Sequence, residues 1–125
     1  MIYLDTHVVV WLYAGLFDKL SPLAIQLIEE HDIFISPILQ LELTYLFEIK
    51  KIRCVADEIL HELHQKIGLK LCELPFELIV NRATSLTWVR DPFDRLITAQ
   101  TLANPHSLLV TKDRVIRKYC EQAVW

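Results

Sequence analysis

Short apolar runs alternate with longer amphipathic segments along the whole chain. Four mainly apolar runs have the length of buried strands: Ile2–Leu4, Ile33–Ile35, Leu69–Cys72 and Ser107–Val110. Segments with the 3.6-residue spacing of helices lie between them. This alternation is typical of a parallel sheet covered by helices on both faces. Since no repeat, low-complexity tract or linker interrupts it, we predict one α/β domain over residues 1–125.

Capping residues predict where several helices begin and end. Serine precedes proline at Ser21-Pro22 and Ser36-Pro37, which places a capping hydroxyl before the first helical position. Asp91-Pro92 has the same form, and Gly15 is a stop signal for the first helix. The predicted helices cover Thr6–Tyr13, Leu23–His31, Ile38–Lys51, Val55–Ile67, Pro75–Leu86, Phe93–Ala103 and Arg114–Tyr119, and Ala123–Trp125 is a candidate edge strand.

The composition supports a folded domain and excludes some classes of site. With 53% hydrophobic residues, the chain is able to bury roughly two-thirds of its unfolded surface. Its 2 glycines exclude Gly-rich phosphate-binding loops. The net charge of −3 provides no global basic field, so any contact with nucleic acid needs local basic patches.

The cysteines and the longest apolar run indicate a cytoplasmic location. The 3 cysteines are far apart and form no C-x-x-C pair, which favours a reduced protein over a disulfide scaffold or zinc site. The run Val8–Phe17 is shorter than the ~20 residues that span a bilayer. Asp5 also leaves no room for the core of a signal peptide. We therefore expect no membrane association.

Five acidic residues lie in or beside apolar stretches: Asp5, Glu42, Asp91, Asp94 and Asp113. An isolated ionised carboxylate in an apolar setting is costly, so it requires a partner, a proton or a metal. Asp5 and Asp113 follow predicted strands, at the edge where parallel sheets bind ligands. The set therefore predicts an oxygen-rich pocket for a hard divalent cation, Mg²⁺ or Mn²⁺.

Helix capping is the alternative explanation for most of these acids. Asp5 and Asp113 each precede a predicted helix, where a carboxylate accepts backbone N–H bonds. Asp91 at the cap and Asp94 three residues later also form a capping arrangement, which accounts for Asp91 better than for Asp94.

Capping does not explain Glu42, which lies within a predicted helix. Its neighbours three and four residues away belong to an apolar stripe without Lys or Arg, which we predict to be the buried face. The alternative is a glutamate at the edge of the stripe that reaches water. The stripe consists of Ile38, Leu39, Tyr45, Leu46 and Ile49.

Hydroxyl and basic residues flank the acids. Thr6 and Thr111 adjoin strand-end acids, where they either orient a carboxylate or water or act as ordinary turn residues. Arg95, Lys112 and Arg114 are candidates to hold a phosphate backbone, with a solvated basic face as the alternative.

Metal-dependent phosphodiester hydrolysis uses carboxylates and a divalent cation, and it needs no Ser or His nucleophile. A different hypothesis is a receiver-like signalling module with an acidic metal pocket. That module requires two adjacent acids after the first strand and a central phosphorylatable Asp. This chain has only Asp5 at the first place and a helical Glu42 at the second.

Four segments together resemble the PIN-domain nucleases, and most of all the VapC-type toxins of toxin–antitoxin pairs. The segments are Leu4-Asp5-Thr6-His7, the Ser36-Pro37 helix with Glu42, the run from Arg90 to Gln100 containing D-P-F-D-R, and Leu109–Asp113. The resemblance covers nearly the full chain in order.

The resemblance implies a Mg²⁺- or Mn²⁺-dependent endoribonuclease on a PIN-like, three-layer α/β/α sandwich. The core catalytic and metal-binding acids would be Asp5, Glu42, Asp94 and Asp113, with Asp91 as an accessory acid. A homodimer, an RNA substrate and a small antitoxin that inserts a helix or peptide over the site are also implied.

Two segments depart from the pattern of similar proteins, which often have His before D-P-F-D-R and Gly before the last strand. This chain has Trp88-Val89-Arg90 and Pro105-His106-Ser107 there. The departures concern substrate details, because neither removes a core acid. For the same reason, a degenerate domain that binds RNA or a partner without cutting is the less favoured hypothesis.

Overall fold

The computed structural model describes residues 1–125 as five strands and seven helices. The strands are β1 (Ile2–Leu4), β2 (Ile33–Ile35), β3 (Lys70–Leu71), β4 (Leu108–Val110) and β5 (Ala123–Val124). The helices are α1 (Thr6–Ala14), α2 (Pro22–Glu30), α3 (Ile38–Glu48), α4 (Ala56–Ile67), α5 (Phe76–Ala83), α6 (Pro92–Leu102) and α7 (Arg114–Tyr119), with one 3₁₀ turn at Phe17–Lys19.

The strands form one parallel sheet in the order β3-β2-β1-β4-β5. The central strand β1 pairs with β2 and β4, so that Tyr3 lies opposite Phe34 on one side and Leu109 on the other. Because every pairing is parallel, the carboxyl ends of all five strands meet at one edge. The predicted parallel sheet is confirmed.

Alternation along β1 divides the core between the two faces of the sheet. Ile2 and Leu4 are fully buried in a cluster with residues of α1, α2 and α4. Tyr3 points to the opposite face, where Ile97 of α6 and Ile116 of α7 pack against it. Burial on both faces explains why the strands are continuously apolar, and the three-layer α/β/α prediction is confirmed.

The end of α3 differs from the prediction, which extended the helix to Lys51. The helix ends at Glu48, and Lys50 has a left-handed φ of 61°. The amide of Lys51 donates to the carbonyl of Leu46 at 2.8 Å. This is the Schellman turn in which glycine normally occupies the left-handed position, and Lys50 gave no such signal in the sequence.

The two predicted serine caps have different outcomes. Ser21 Oγ accepts a 3.0 Å bond from the amide of Ala24, which confirms its cap. Ser36 Oγ donates to Gln100 Oε1 at 3.0 Å and accepts a long bond of 3.4 Å from the amide of Ile38, the first residue of α3. The cap position itself is Pro37, one residue later than predicted, so the Ser36 hydroxyl is shared between the start of α3 and a partner on α6.

Two further elements are shorter than predicted. The third strand covers only Lys70–Leu71, and α5 ends at Ala83 rather than near Leu86. None of the helices has the length and apolar character needed to span a bilayer.

Candidate active site

The four predicted core acids line one cleft of about 290 Å³. They come from the ends of β1 and β4 and from α3 and α6, elements that the parallel sheet brings to a common edge. The lining consists of Asp5, Thr6, His7, Val10, Trp11, Glu42, Leu46, Lys51, Ile52, Asp94 and Asp113.

Asp5 lies at the centre of the cleft and is only 3% exposed. It caps α1, where its Oδ1 accepts from the amide of Thr6 at 2.8 Å. Its Oδ2 accepts from Thr111 Oγ1 at 2.6 Å. Asp5 therefore both caps α1 and lines the acidic cleft, and its carboxylate is fixed by donors at the end of β4 and on α1.

Glu42 faces Asp5 from α3 and accepts a hydrogen bond from Thr6 Oγ1. Burial raises the pKa of its carboxyl to about 7, with Asp5 and Asp91 contributing and the Thr6 bond opposing. The stripe predicted as the buried face is not buried throughout, since Tyr45 is 47% and Ile49 is 43% exposed. The buried row consists of Leu39 and of Leu43, which was not part of the predicted stripe, and the half-buried Glu42 lies beside them.

Asp94 is half-buried on the first turn of α6. Burial raises its pKa to about 7, and the charges of Asp5, Asp91, Glu42 and Asp113 raise it further. Asp91 caps α6 by accepting a 3.0 Å bond from the amide of Asp94. Asp91 is exposed and outside the cleft lining, as expected for a neighbour of the four core acids.

Asp113 caps α7 by accepting a 2.9 Å bond from the amide of Ile116. Its own amide donates to Thr111 Oγ1 at 3.1 Å, which ties it to the group that holds Asp5. His7 Nε2 accepts from the amide of Lys112 at 2.9 Å. Burial lowers the pKa of His7, consistent with a neutral ring that acts as acceptor here.

No lysine or arginine neutralises the acids. The one ion pair between fixed charges joins the distant Lys66 and Glu62 at 2.9 Å. His7 Nδ1 lies 3.6 Å from Asp5 Oδ2, a contact that is not an ion pair while the His7 ring is neutral. No three His, Cys, Asp or Glu side chains form a ready-made metal cage. The donor set nevertheless fits a hard cation, because four carboxylates share one cleft. Burial and the charges of the neighbouring acids raise the pKa values of Glu42 and Asp94, so a bound cation would relieve an unfavourable concentration of negative charge.

The predicted basic residues occupy different places. Lys112 is exposed with its Nζ 5.8 Å from the centre of the Trp11 ring, and Arg114 is exposed at the start of α7. Arg95 is not in the cleft lining, and its Nε donates to the carbonyl of Leu86 at 2.8 Å. The structure thus brings Lys112 to the cleft rim but not Arg95.

Sequence reasoning missed Lys51 and Trp11 as residues of the cleft. Lys51 lies in a short basic run with Lys50 and Arg53 just after α3, which gave no sign of a place in the cleft. The left-handed residue Lys50 turns the chain and lets Lys51 line the cleft. A signal existed for Trp11, because on a helix that begins at Thr6 it lies one turn after His7.

Comparison with known proteins identifies the family. The family model for the PIN domain matches residues 2–122. The chain belongs to the PIN domain family. A chain in the crystal structure of VapBC2 from Rickettsia felis bound to a DNA fragment from their promoter is similar to this PIN domain, with a TM-score of 0.69 and 20% identity. The match covers 100% of this chain and 98% of that chain, and at this identity it shows the shared fold. No curated protein sequence matches this PIN domain.

Proposed function

We propose that this PIN domain is a Mg²⁺- or Mn²⁺-dependent endoribonuclease that hydrolyses RNA phosphodiester bonds. The observation that carries the proposal is the convergence of four carboxylates in one cleft, none of which forms a salt bridge with a lysine or arginine. Like charges held together in a half-buried site need a proton or a cation, and the pKa values of Glu42 and Asp94, raised to about 7, are the sign of that need.

Asp5, Glu42, Asp94 and Asp113 are the residues that would hold the cation. When bound, a divalent cation supplies a water of lowered pKa and stabilises the charge that develops on the phosphate. Thr111 and Thr6 orient Asp5 and Glu42 through their hydroxyl groups. Asp91 adds negative potential from the start of α6, in keeping with an accessory role.

Three basic residues are proposed to bind the substrate. Lys112 and Arg114 flank Asp113 at the rim, where their charges would hold the RNA backbone. Arg95 is included as the weaker candidate, because reaching RNA would require it to leave the carbonyl of Leu86.

A cleavage assay tests the proposal directly. Purified protein incubated with RNA and Mg²⁺ should generate internal cuts that excess EDTA abolishes and added Mg²⁺ or Mn²⁺ restores. Asp5→Asn should lower the rate by about 10²–10³-fold, the usual loss for a group that stabilises charge in the transition state. The matched control Asp18→Asn changes an exposed acid of the 3₁₀ turn and should retain full activity. Cleavage that persists in excess EDTA would refute metal dependence.

We further propose that this nuclease is the toxin of a toxin–antitoxin pair and acts in the cytoplasm. The similarity to a chain of the VapBC2 complex and the PIN domain fold support a small antitoxin partner. A short open reading frame immediately upstream, whose product binds the purified protein and stops RNA cleavage, is the expected finding. An upstream product that neither binds nor inhibits would contradict the pairing.

A homodimer is proposed from exposed apolar side chains on two helices. Leu41 and Tyr45 are 56% and 47% exposed one turn apart on α3, and Phe76 and Val80 are 57% and 39% exposed one turn apart on α5. Exposed apolar surface of this kind marks interaction sites. Light scattering should show a dimer that Tyr45→Lys converts to a monomer, whereas a monomeric wild-type protein would refute the proposal.

A further inference from the structure

The acidic cleft has a second wall that the proposed hydrolysis does not use. Val10, Trp11, Leu46 and Ile52 line this wall, together with the side chain of Lys51. The four apolar residues offer neither an oxygen ligand for a hard cation nor a group for proton transfer, and the Lys51 ammonium is not a metal ligand. The cleft thus joins an acidic half, suited to a metal and a phosphate, to an aromatic and basic half of unassigned purpose.

Other aromatic rings hold Trp11 in place. Its ring centre lies 5.0 Å from that of His7 and 6.0 Å from that of Trp125, with an edge contact at 62° to the latter. His7 is in turn fixed by the amide of Lys112 at 2.9 Å. The half-buried indole is therefore a supported surface beside the acids and not a freely rotating side chain.

Positive charge surrounds the same ring. Lys19 Nζ lies 5.5 Å and Lys112 Nζ lies 5.8 Å from the centre of the Trp11 ring, within the range of cation–π attraction. Lys51 adds a third ammonium group on the cleft lining. Two lysines beside the ring and a third in the same cleft give this part of the lining a positive charge.

An aromatic ring flanked by cations matches the chemistry of a nucleotide in an unpaired strand. Proteins bind single-stranded RNA by stacking bases on aromatic side chains and tracking the backbone with basic groups. In a duplex, the bases stack on each other and are inaccessible to such a ring. The volume of about 290 Å³ lies at the lower end of ligand pockets, which suits one nucleotide rather than a folded RNA element.

We propose that Trp11 is a stacking platform for one unpaired base of the RNA, next to the phosphate held at the acids. Lys51 and Lys112 bind the neighbouring phosphates. This inference rests on the proposed function and adds to it a residue that binds a base of the RNA. Trp11 thereby acts on substrate binding, and the acids act on hydrolysis.

The test compares binding and cleavage for Trp11→Leu, which keeps an apolar side chain but removes the ring. Binding of a fluorescent, unstructured oligoribonucleotide is measured by anisotropy in an Asp94→Asn background, so that no strand is cut. Loss of one base–aromatic stack should weaken binding by about 5- to 150-fold. When Trp11→Leu is made in the protein that retains Asp94, its KM for RNA should rise by a similar factor, while its kcat should change less than about threefold.

Matched controls separate stacking from folding. Trp88→Leu removes an indole that stacks on Tyr119 at 5.3 Å, outside the cleft, and should leave RNA binding unchanged. Trp11→Phe keeps a ring and should restore most of the affinity. A second test uses oligonucleotides from which one base has been removed at successive positions, and it requires no substitution of Trp11. One position should reproduce the loss, and removing both that base and the Trp11 ring should cost no more than either change alone.

Each outcome bears on one proposal or both. If Trp11→Leu binds RNA as tightly as the unsubstituted protein, and no base position is sensitive, the stacking platform is overturned. The aromatic part of the cleft would then serve contact with a protein partner. RNA that binds through Trp11 but is never cut in Mg²⁺ overturns the nuclease and supports the platform. RNA that neither binds nor is cut overturns both.

Discussion

The hydroxyl of Thr111 donates a 2.6 Å hydrogen bond to Asp5 Oδ2 and thereby joins the carboxyl ends of β4 and β1. The oxygen of this Thr111 hydroxyl also accepts a hydrogen bond of 3.1 Å from the amide of Asp113. One fully buried side chain thus positions two acids that are more than a hundred residues apart in sequence.

Replacing Thr111 by valine keeps the shape of the side chain and removes its hydroxyl. The buried Asp5 oxygen and the Asp113 amide lose a partner, so unfolding should become easier by about 1–3 kcal/mol. RNA cleavage should fall through a lower kcat, because Asp5 is no longer oriented. Chemical denaturation and cleavage kinetics check both effects, and Thr111→Ser, which keeps the hydroxyl, should stay near wild type. Wild-type kcat in Thr111→Val would show that Asp5 needs no such support.

The metal-free protein should lose stability as the pH rises. Glu42 and Asp94 have pKa values raised from 4.5 and 3.8 to about 7, so between about 4.5 and 7 the folded state binds more protons than the unfolded state. The free energy of unfolding therefore falls with rising pH across this window. Thermal melting in EDTA should give a lower Tm at pH 8 than at pH 5. Added Mg²⁺ should raise the Tm at pH 8 and have little effect at pH 5, where protons compete for the carboxylates.

Replacing Asp94 by asparagine should stabilise the metal-free protein at pH 8. The substitution removes a buried charge that the other acids repel, and the Asp91 cap is retained because it uses the backbone amide of residue 94. Denaturation in EDTA measures the gain, which should disappear at pH 5. Asp57→Asn is the control: Asp57 is exposed in the first turn of α4, where a carboxylate favours the helix dipole, so its loss should lower stability slightly. A destabilised Asp94→Asn would contradict the repulsion.

Replacing Lys50 by glycine should stabilise the fold by about 1 kcal/mol, because a left-handed backbone costs a side-chain-bearing residue that much. Lys50 has φ 61° and is the one non-glycine residue with a positive φ. Lys50→Ala removes the charge but keeps the strain, so its stability should match the wild type. Equal denaturation midpoints for Lys50→Gly and Lys50→Ala would show that this turn stores no strain.

The sequence anticipated most of the secondary structure because its signals are local. The stop at Gly15, the Ser21 cap and the apolar runs of β1, β2 and β4 depend on the chain within a few residues, and the structure bears them out. The prediction was less accurate where the local sequence held no signal. Ser36 shares its hydroxyl between the start of α3 and Gln100 across the fold, and Lys50 ends that helix in a conformation usually left to glycine.

The sequence by itself determined which groups are available for chemistry: carboxylates at strand ends and on helices, in a chain whose residues 2–122 match the PIN domain family. Only the tertiary structure decided that four of them share one cleft, that Thr111 holds Asp5, and that Trp11 and Lys51 line the same cleft. The physical reason is distance. Caps and periodicity act within one or two helical turns, whereas the cleft is made by parallel strands that bring residues far apart in the chain to the same edge.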